Sequence, residues 1–224
     1  MKTFLILVLL FISAISFAQN KFAVDYFSNN YYGIVNMTNS NGVENQGWIA
    51  IYDKNTNEEL VKVESDGIDL DVNDEKAIKN DNVLPYKEQI LIIYEDFNFD
   101  GVKDFAIEDC HHSCYGLPSY KIYLAENNNF VLDDKFTELS QKYCGMFAVV
   151  NEKKMLRAEL KSGCCYHVYS EFIIDDGAPK LTSKITEDAT QGDEYVYITT
   201  EKLIDGKWIT TNSKEKIKDY YKDE

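Results

Sequence analysis

Near the middle of this 224-residue chain, Asp96-Phe97-Asn98-Phe99-Asp100-Gly101-Val102-Lys103-Asp104 places oxygen-bearing side chains at positions 1, 3, 5 and 9 of a tight curve, with glycine at position 6. A chain that wraps a hard cation needs this spacing. Calcium takes about six to eight oxygens at roughly 2.3–2.6 Å, so carboxylates and amides must alternate along a curve that also offers a backbone carbonyl. Asp96, Asn98, Asp100 and Asp104 would supply side-chain oxygens, Val102 its carbonyl, and Gly101 the bend. Position 12 of the helix–loop–helix calcium template would be a glutamate. Here it is Ile107, with Glu108 one residue beyond. The flanks are not helical either: 89–94 is a short apolar, β-branched run, and Phe105-Ala106-Ile107 ends close to a cysteine. The unit reads as strand, calcium loop, strand. The competing reading is an acidic turn in which Asp and Asn cap their own backbone without an ion.

The rest of the chain repeats the strand-and-turn theme. Segments 31–37, 47–53, 60–64, 90–95, 120–125, 146–150, 155–161, 166–174 and 195–204 carry β-branched or aromatic residues in partial alternation. Asn- and Asp-rich connectors separate them, and Asp205-Gly206 is the cleanest hairpin signal. Segments beginning at Tyr120, Tyr169 and Tyr197 each read as strand, tight polar turn, strand. Phe136 and Leu139, three residues apart, place one short helix over 134–141. The expectation is an all-β fold of antiparallel hairpins in a meander, with propeller-like closure as the alternative to an open sheet. One β-rich domain spans 19–212, residues 66–88 read as loop, and 213–224 read as a frayed polar tail.

Residues 1–18 combine a basic start, an apolar core and Ser13-Ala-Ile-Ser-Phe-Ala18, which predicts a signal peptide cleaved after Ala18. That core is shorter than the ~20 residues that cross a bilayer, so no stable membrane insertion is expected after cleavage, and the protein should be periplasmic or secreted. The formal charge of −15 becomes about −16 once Lys2 leaves with the signal. Such a protein repels nucleic acid and draws in basic proteins. Cys110, Cys114, Cys144, Cys164 and Cys165 all lie in the exported part, where disulfides form. Cys110 and Cys114 are close enough to close a small loop, and Cys144 could reach either member of the 164–165 pair, although spacing does not decide connectivity. A zinc site built on Cys110-His111-His112-Ser113-Cys114, with His167 assisting, is the alternative use of these residues. The sequence carries no Gly-x-Ser-x-Gly elbow, His-Glu-x-x-His helix or phosphate-cradling glycine loop, and the expectation is a protein that is not an enzyme.

The order of features from Ile90 through the calcium loop, the Tyr120 hairpin, Phe130-Val-Leu-Asp-Asp-Lys-Phe-Thr-Glu-Leu139, and Leu160-Lys-Ser-Gly-Cys-Cys-Tyr-His167 resembles a bacterial family over about residues 45–187. It is similar to the calcium-binding, propeller-like periplasmic proteins that include lysozyme-inhibitor immunity proteins. The resemblance implies Ca²⁺ held by Asp96, Asn98, Asp100, the Val102 carbonyl and Asp104. It also implies a recognition loop of Ser162, Gly163 and Tyr166 for a lysozyme-like glycoside hydrolase, to which the His167 side chain could add a hydrogen bond. The intervening Cys164-Cys165 departs from a simple Ser-Gly-aromatic loop. Charge supports the same partner: lysozymes are often basic, and an acidic protein is steered toward them before short polar groups engage the catalytic carboxyls. The contrasting expectation is a structural or surface-adhesion module that calcium merely rigidifies.

Overall fold

A computed structural model describes residues 20–37, 45–68, 70, 90–127 and 129–222. The expected signal peptide and most of the expected 66–88 loop lie outside the described residues, and 66–68 are strand instead of loop. The protein is all-β, built from three antiparallel meanders whose strands pair in chain order. The first contains β1 (Asn20–Val24), β2 (Tyr31–Met37), β3 (Asn45–Asp53) and β4 (Glu59–Ile68). The second contains β5 (Ile92–Glu95), β6 (Asp104–Cys110), β7 (Ser119–Glu126) and β8 (Asn129–Leu132). Helix α1 (Asp134–Lys142) then leads to six strands: β9 (Ala148–Val150), β10 (Met155–Lys161), β11 (Tyr166–Asp175), β12 (Ala178–Asp188), β13 (Tyr195–Ile204) and β14 (Lys207–Lys216).

The second sheet is the middle layer because both of its faces are apolar. Side chains of successive strand residues point to opposite faces. On one face Phe105 and Ile107 enter a core with Val35, Ile49, Ile51 and Val63 of the first sheet. On the other, Ala106, Tyr120, Ile122 and Leu124 pack with Phe136 and Leu139 of α1 and with Leu156 and Phe172 of the third sheet. β6 is therefore buried over nearly its whole length. Stacked four-stranded meanders are how propeller blades pack, although a ring takes about four to eight blades.

Helix α1 begins where the spacing predicts. The Asp133 carboxylate caps it by accepting from the amides of Lys135 (2.8 Å) and Phe136 (2.9 Å). Its buried Thr137 and Ser140 serve the sheet. The β8 ladder on β7 covers only residues 123–126. Beyond it the Ile122 amide donates to Thr137 Oγ1 at 3.0 Å, and the Tyr120 amide donates to Ser140 Oγ at 2.9 Å. The same hydroxyl donates back to the Tyr120 carbonyl at 2.7 Å. Two helix hydroxyls thus continue a β ladder that has run out of strand.

Two expectations need correction. The chain beyond residue 212 is not frayed: β14 continues to Lys216 and α2 (Ile217–Tyr220) follows. Pairing with β13 supplies the order, and the phenols of Tyr220 and Tyr221 donate to the buried Glu187 carboxylate at 2.5 and 3.1 Å. β1 and most of β12 also exceed the expected strands.

Ser140→Ala would remove the buried hydroxyl to which both backbone groups of Tyr120 bond. We expect a loss of about 1–3 kcal/mol in denaturant unfolding. Phe105→Ala, which empties the ring at the centre of the first core, should cost about 3–5 kcal/mol by the same measurement.

Candidate metal loop and disulfide-bound surface

The loop 96–103 closes the β5–β6 hairpin above the pair Glu95–Asp104. Its geometry comes from side chains bonding to the loop's own amides. Asp96 accepts from Asp100 (3.1 Å) and Gly101 (2.9 Å), Asn98 Oδ1 from Asp100 (3.0 Å), and Asp100 Oδ1 from Val102 (2.7 Å). Phe99 (φ 60°) and Gly101 (φ 91°) both take left-handed backbone, which turns the curve inward. Phe97 anchors the loop in the second core, 5.5 Å from the Phe147 ring centre.

Asp104 is the buried member. It has no exposed surface, and its two oxygens accept from the amides of Phe97 (2.8 Å) and Ala125 (2.9 Å), joining the loop to β7. Burial pushes its carboxyl up from 3.8 to about 6; the two amide bonds oppose this, and the negative charges of Asp100 and Asp96 add to it. The neighbouring cation does not relieve that repulsion, because Lys103 reaches Glu95 (3.6 Å) and the Tyr94 carbonyl (3.3 Å) instead.

The donor set suits a hard cation in kind. Each carboxylate oxygen has two lone-pair directions, and one amide bond leaves the other available. As they stand, no three His, Cys, Asp or Glu side chains among the described residues come together tightly enough to hold an ion. Binding would require Asp96 and Asp100 to draw in toward Asp104. Val102 is exposed, so the backbone at position 7 lies at the surface.

At the far end of β6 the structure supplies the connectivity that spacing left open. Cys114 joins Cys144, with Cα atoms 4.8 Å apart, and Cys164 joins its neighbour Cys165. Cys110 stays outside both bonds. The Ser113 hydroxyl brings the first pair together by donating to the Tyr143 carbonyl and accepting from the Gly145 amide, each at 2.5 Å. The Cys144 amide then donates to the Glu159 carbonyl at 2.6 Å, and the Lys161 amide to Cys144 Sγ at 3.3 Å. With Cys114 oxidised, the crowded Cys-His-His-Ser-Cys run has lost a thiolate that zinc would need.

The 162–167 segment comprises the turn 162–165 between β10 and β11 and the first two residues of β11, so Tyr166 and His167 stand in a strand and not in the turn. Its neck is held by the Ser162 amide on the Tyr166 carbonyl (2.9 Å), and its tip by the Gly163 amide on the Tyr115 hydroxyl. Ser162 and Gly163 are exposed, while Tyr166 and His167 are half-buried. Gly163, Cys164 and His167 line a shallow depression with Tyr115, Leu117 and Lys161; Ser162 and Tyr166 do not. His167 Nδ1 lies 3.3 Å from the Tyr169 hydroxyl and 4.0 Å from Glu187. Tyr115 was not singled out in the sequence, and its only local signal is the Cys-Tyr-Gly-Leu-Pro turn around it.

No family model matches the chain, and no curated protein matches it in sequence. Among solved structures, the fold is similar to that of a Xanthomonas type IV secretion system related protein, with a TM-score of 0.62 at 19% identity over 87% of this chain and 94% of that one. No helix among the described residues is long and apolar enough to cross a membrane.

Asp104 binds its proton more tightly folded than unfolded, so in chelator its contribution to stability is present near pH 4 and is lost as pH rises to about 6. Wild-type melting temperature should fall across that window. Asp104→Asn should flatten the fall and cost about 1–3 kcal/mol below it, because one of its two amide donors then faces an NH₂ group.

Proposed function

We propose that the protein is exported and calcium-stabilised, and that it acts without catalysis by binding a basic lysozyme-like glycoside hydrolase and blocking it. The observation that carries this reading is the 162–167 loop: exposed at its tip, tied at its neck, and stiffened by a disulfide between adjacent residues. A loop fixed before binding loses little conformational entropy on docking. The surrounding charge, −15 for the whole chain and about −16 once Lys2 is removed, steers a cationic partner toward it. Ser162, Gly163, Tyr166 and His167 are the recognition residues in this reading, and Tyr115 is their support. Disulfides accord with an oxidising, extracytoplasmic location. The likeness in fold to a protein related to a type IV secretion system agrees with an exported role.

Calcium would be held by Asp96, Asn98, Asp100 and Asp104 with the Val102 carbonyl. It would neutralise the carboxylates that now repel one another around Asp104. An affinity of roughly 10⁻⁴ to 10⁻³ M suits an extracellular module. A second reading is a structural or adhesion module. It is favoured by the way Asp104 bridges the loop to β7, which makes the loop a stiffener of the sheet.

Calcium should raise the melting temperature relative to chelator, and Asp100→Ala should erase the difference. Inhibition of a basic lysozyme should be strong at low salt and weaken at high salt. Ser162→Arg should weaken it about tenfold, roughly 1.4 kcal/mol, with unchanged melting. Neither inhibition of nor binding to any lysozyme at low salt would leave only the second reading.

A further inference from the structure

Among the described residues, β14 is the outer strand of the six-stranded sheet, with only β13 beside it. Nine of its ten residues are exposed, including Trp208 (46%) and Ile209 (48%). A strand with an open edge is a template for another strand. Which strand it would accept can be derived from its register.

Asp205 (φ 49°) and Gly206 (φ 74°) form the two-residue turn that flanks the pair Ile204–Lys207. In such a hairpin this pair exchanges hydrogen bonds, and antiparallel ladders alternate from there. Lys207, Ile209, Thr211, Ser213 and Glu215 therefore turn their backbone groups toward β13. Trp208, Thr210, Asn212 and Lys214 turn theirs outward. A second strand can pair only with the outward set, so an antiparallel copy must place even-numbered residues opposite even-numbered ones.

With Thr211 on a two-fold axis, this condition is met and the side chains match. Lys207 of one copy falls opposite Glu215 of the other, twice, in the non-hydrogen-bonded pairs where side chains approach most closely. Trp208 falls opposite Lys214, twice, as a cation–π pair, and Thr210 falls opposite Asn212. Shifting the axis to residue 212 sets Trp208 against Lys216 and Ile209 against Glu215, which loses both ion pairs. Shifting it to residue 210 sets Lys207 against Ser213. Only the register centred on Thr211 neutralises the edge charges.

We propose that β14 is a homodimerisation edge, pairing antiparallel with β14 of a second copy about a two-fold axis at Thr211 to form a continuous twelve-stranded sheet. The net charge of −15 on each copy opposes association at long range, so salt near physiological strength favours the dimer.

Sedimentation equilibrium of the protein over a concentration series, at about 0.15 M ionic strength, tests this. A monomer–dimer equilibrium is expected. Thr210→Pro removes an outward amide while sparing the β13 ladder, and should weaken dimerisation at least about tenfold with native circular dichroism. K207E and E215K should each abolish the dimer, because like charges then oppose each other. The double variant should restore it, and an equimolar mixture of the two single variants should yield a heterodimer. A monomer at every concentration, as would follow if another part of this chain covered the edge, overturns the proposal. So does a dimer indifferent to Thr210→Pro, or a charge-swapped double variant that stays monomeric.

Discussion

The double burial of β6 organises the molecule. A strand with apolar side chains on both faces needs a sheet on each side, and the first and third meanders fill those places. Burial on both faces also restricts where charge can sit, because a carboxylate removed from water must find donors. Asp104 takes two amides, and Asp109 takes the Ser119 hydroxyl at 2.6 Å. They flank Phe105, Ala106, Ile107 and Glu108, itself buried, so carboxylates are removed from water at both ends of the apolar stretch. The ends of β6 are thus polar, partnered and rigid, and loops begin where they stop.

The disulfide end shows how the second sheet is joined to the third. Besides α1 and the shared apolar core, the connection includes polar clamps around Cys144: Ser113 on one side, the carbonyl of Glu159 and the amide of Lys161 on the other. Closing a span of 30 residues constrains the unfolded chain by about 3–4 kcal/mol in the chain-entropy account. The Cys164–Cys165 bond closes almost no loop, so its effect is confined to the turn that contains it. One disulfide therefore secures the fold, and the other shapes a surface.

Much of this was readable from residues. The helix was legible because Phe136 and Leu139 share a face, and the β5–loop–β6 unit because apolar runs flank an acidic curve. β14 was not. A strand exposed on both faces has no apolar alternation, and its order comes from backbone pairing with β13, which leaves no trace in Thr-Thr-Asn-Ser. The pairing of Cys114 with Cys144 was hidden because it depends on a serine hydroxyl gripping a segment some thirty residues away. In the 96–104 loop the oxygen spacing was legible, and so were its two uses, holding an ion and capping the loop's own amides; the capping is what the bonds within the loop display. Turn-capping and cation-binding demand the same residue types, so one pattern serves both.

The separation of the two candidate sites bears on what calcium could do. β6 spans seven residues from Asp104 to Cys110, about 20 Å at the usual rise. The acidic loop lies at one end of that strand and the disulfide-bound surface at the other. An ion at Asp104 could not touch a protein docked on the 162–167 loop, nor screen its approach beyond a Debye length of about 8 Å. Its influence would pass through β6 itself, by relieving the repulsion around Asp104 and holding the β5–β6–β7 edge taut. In the proposed reading, calcium would then set how long the scaffold survives outside the cell, while recognition would depend on the loop and its disulfide.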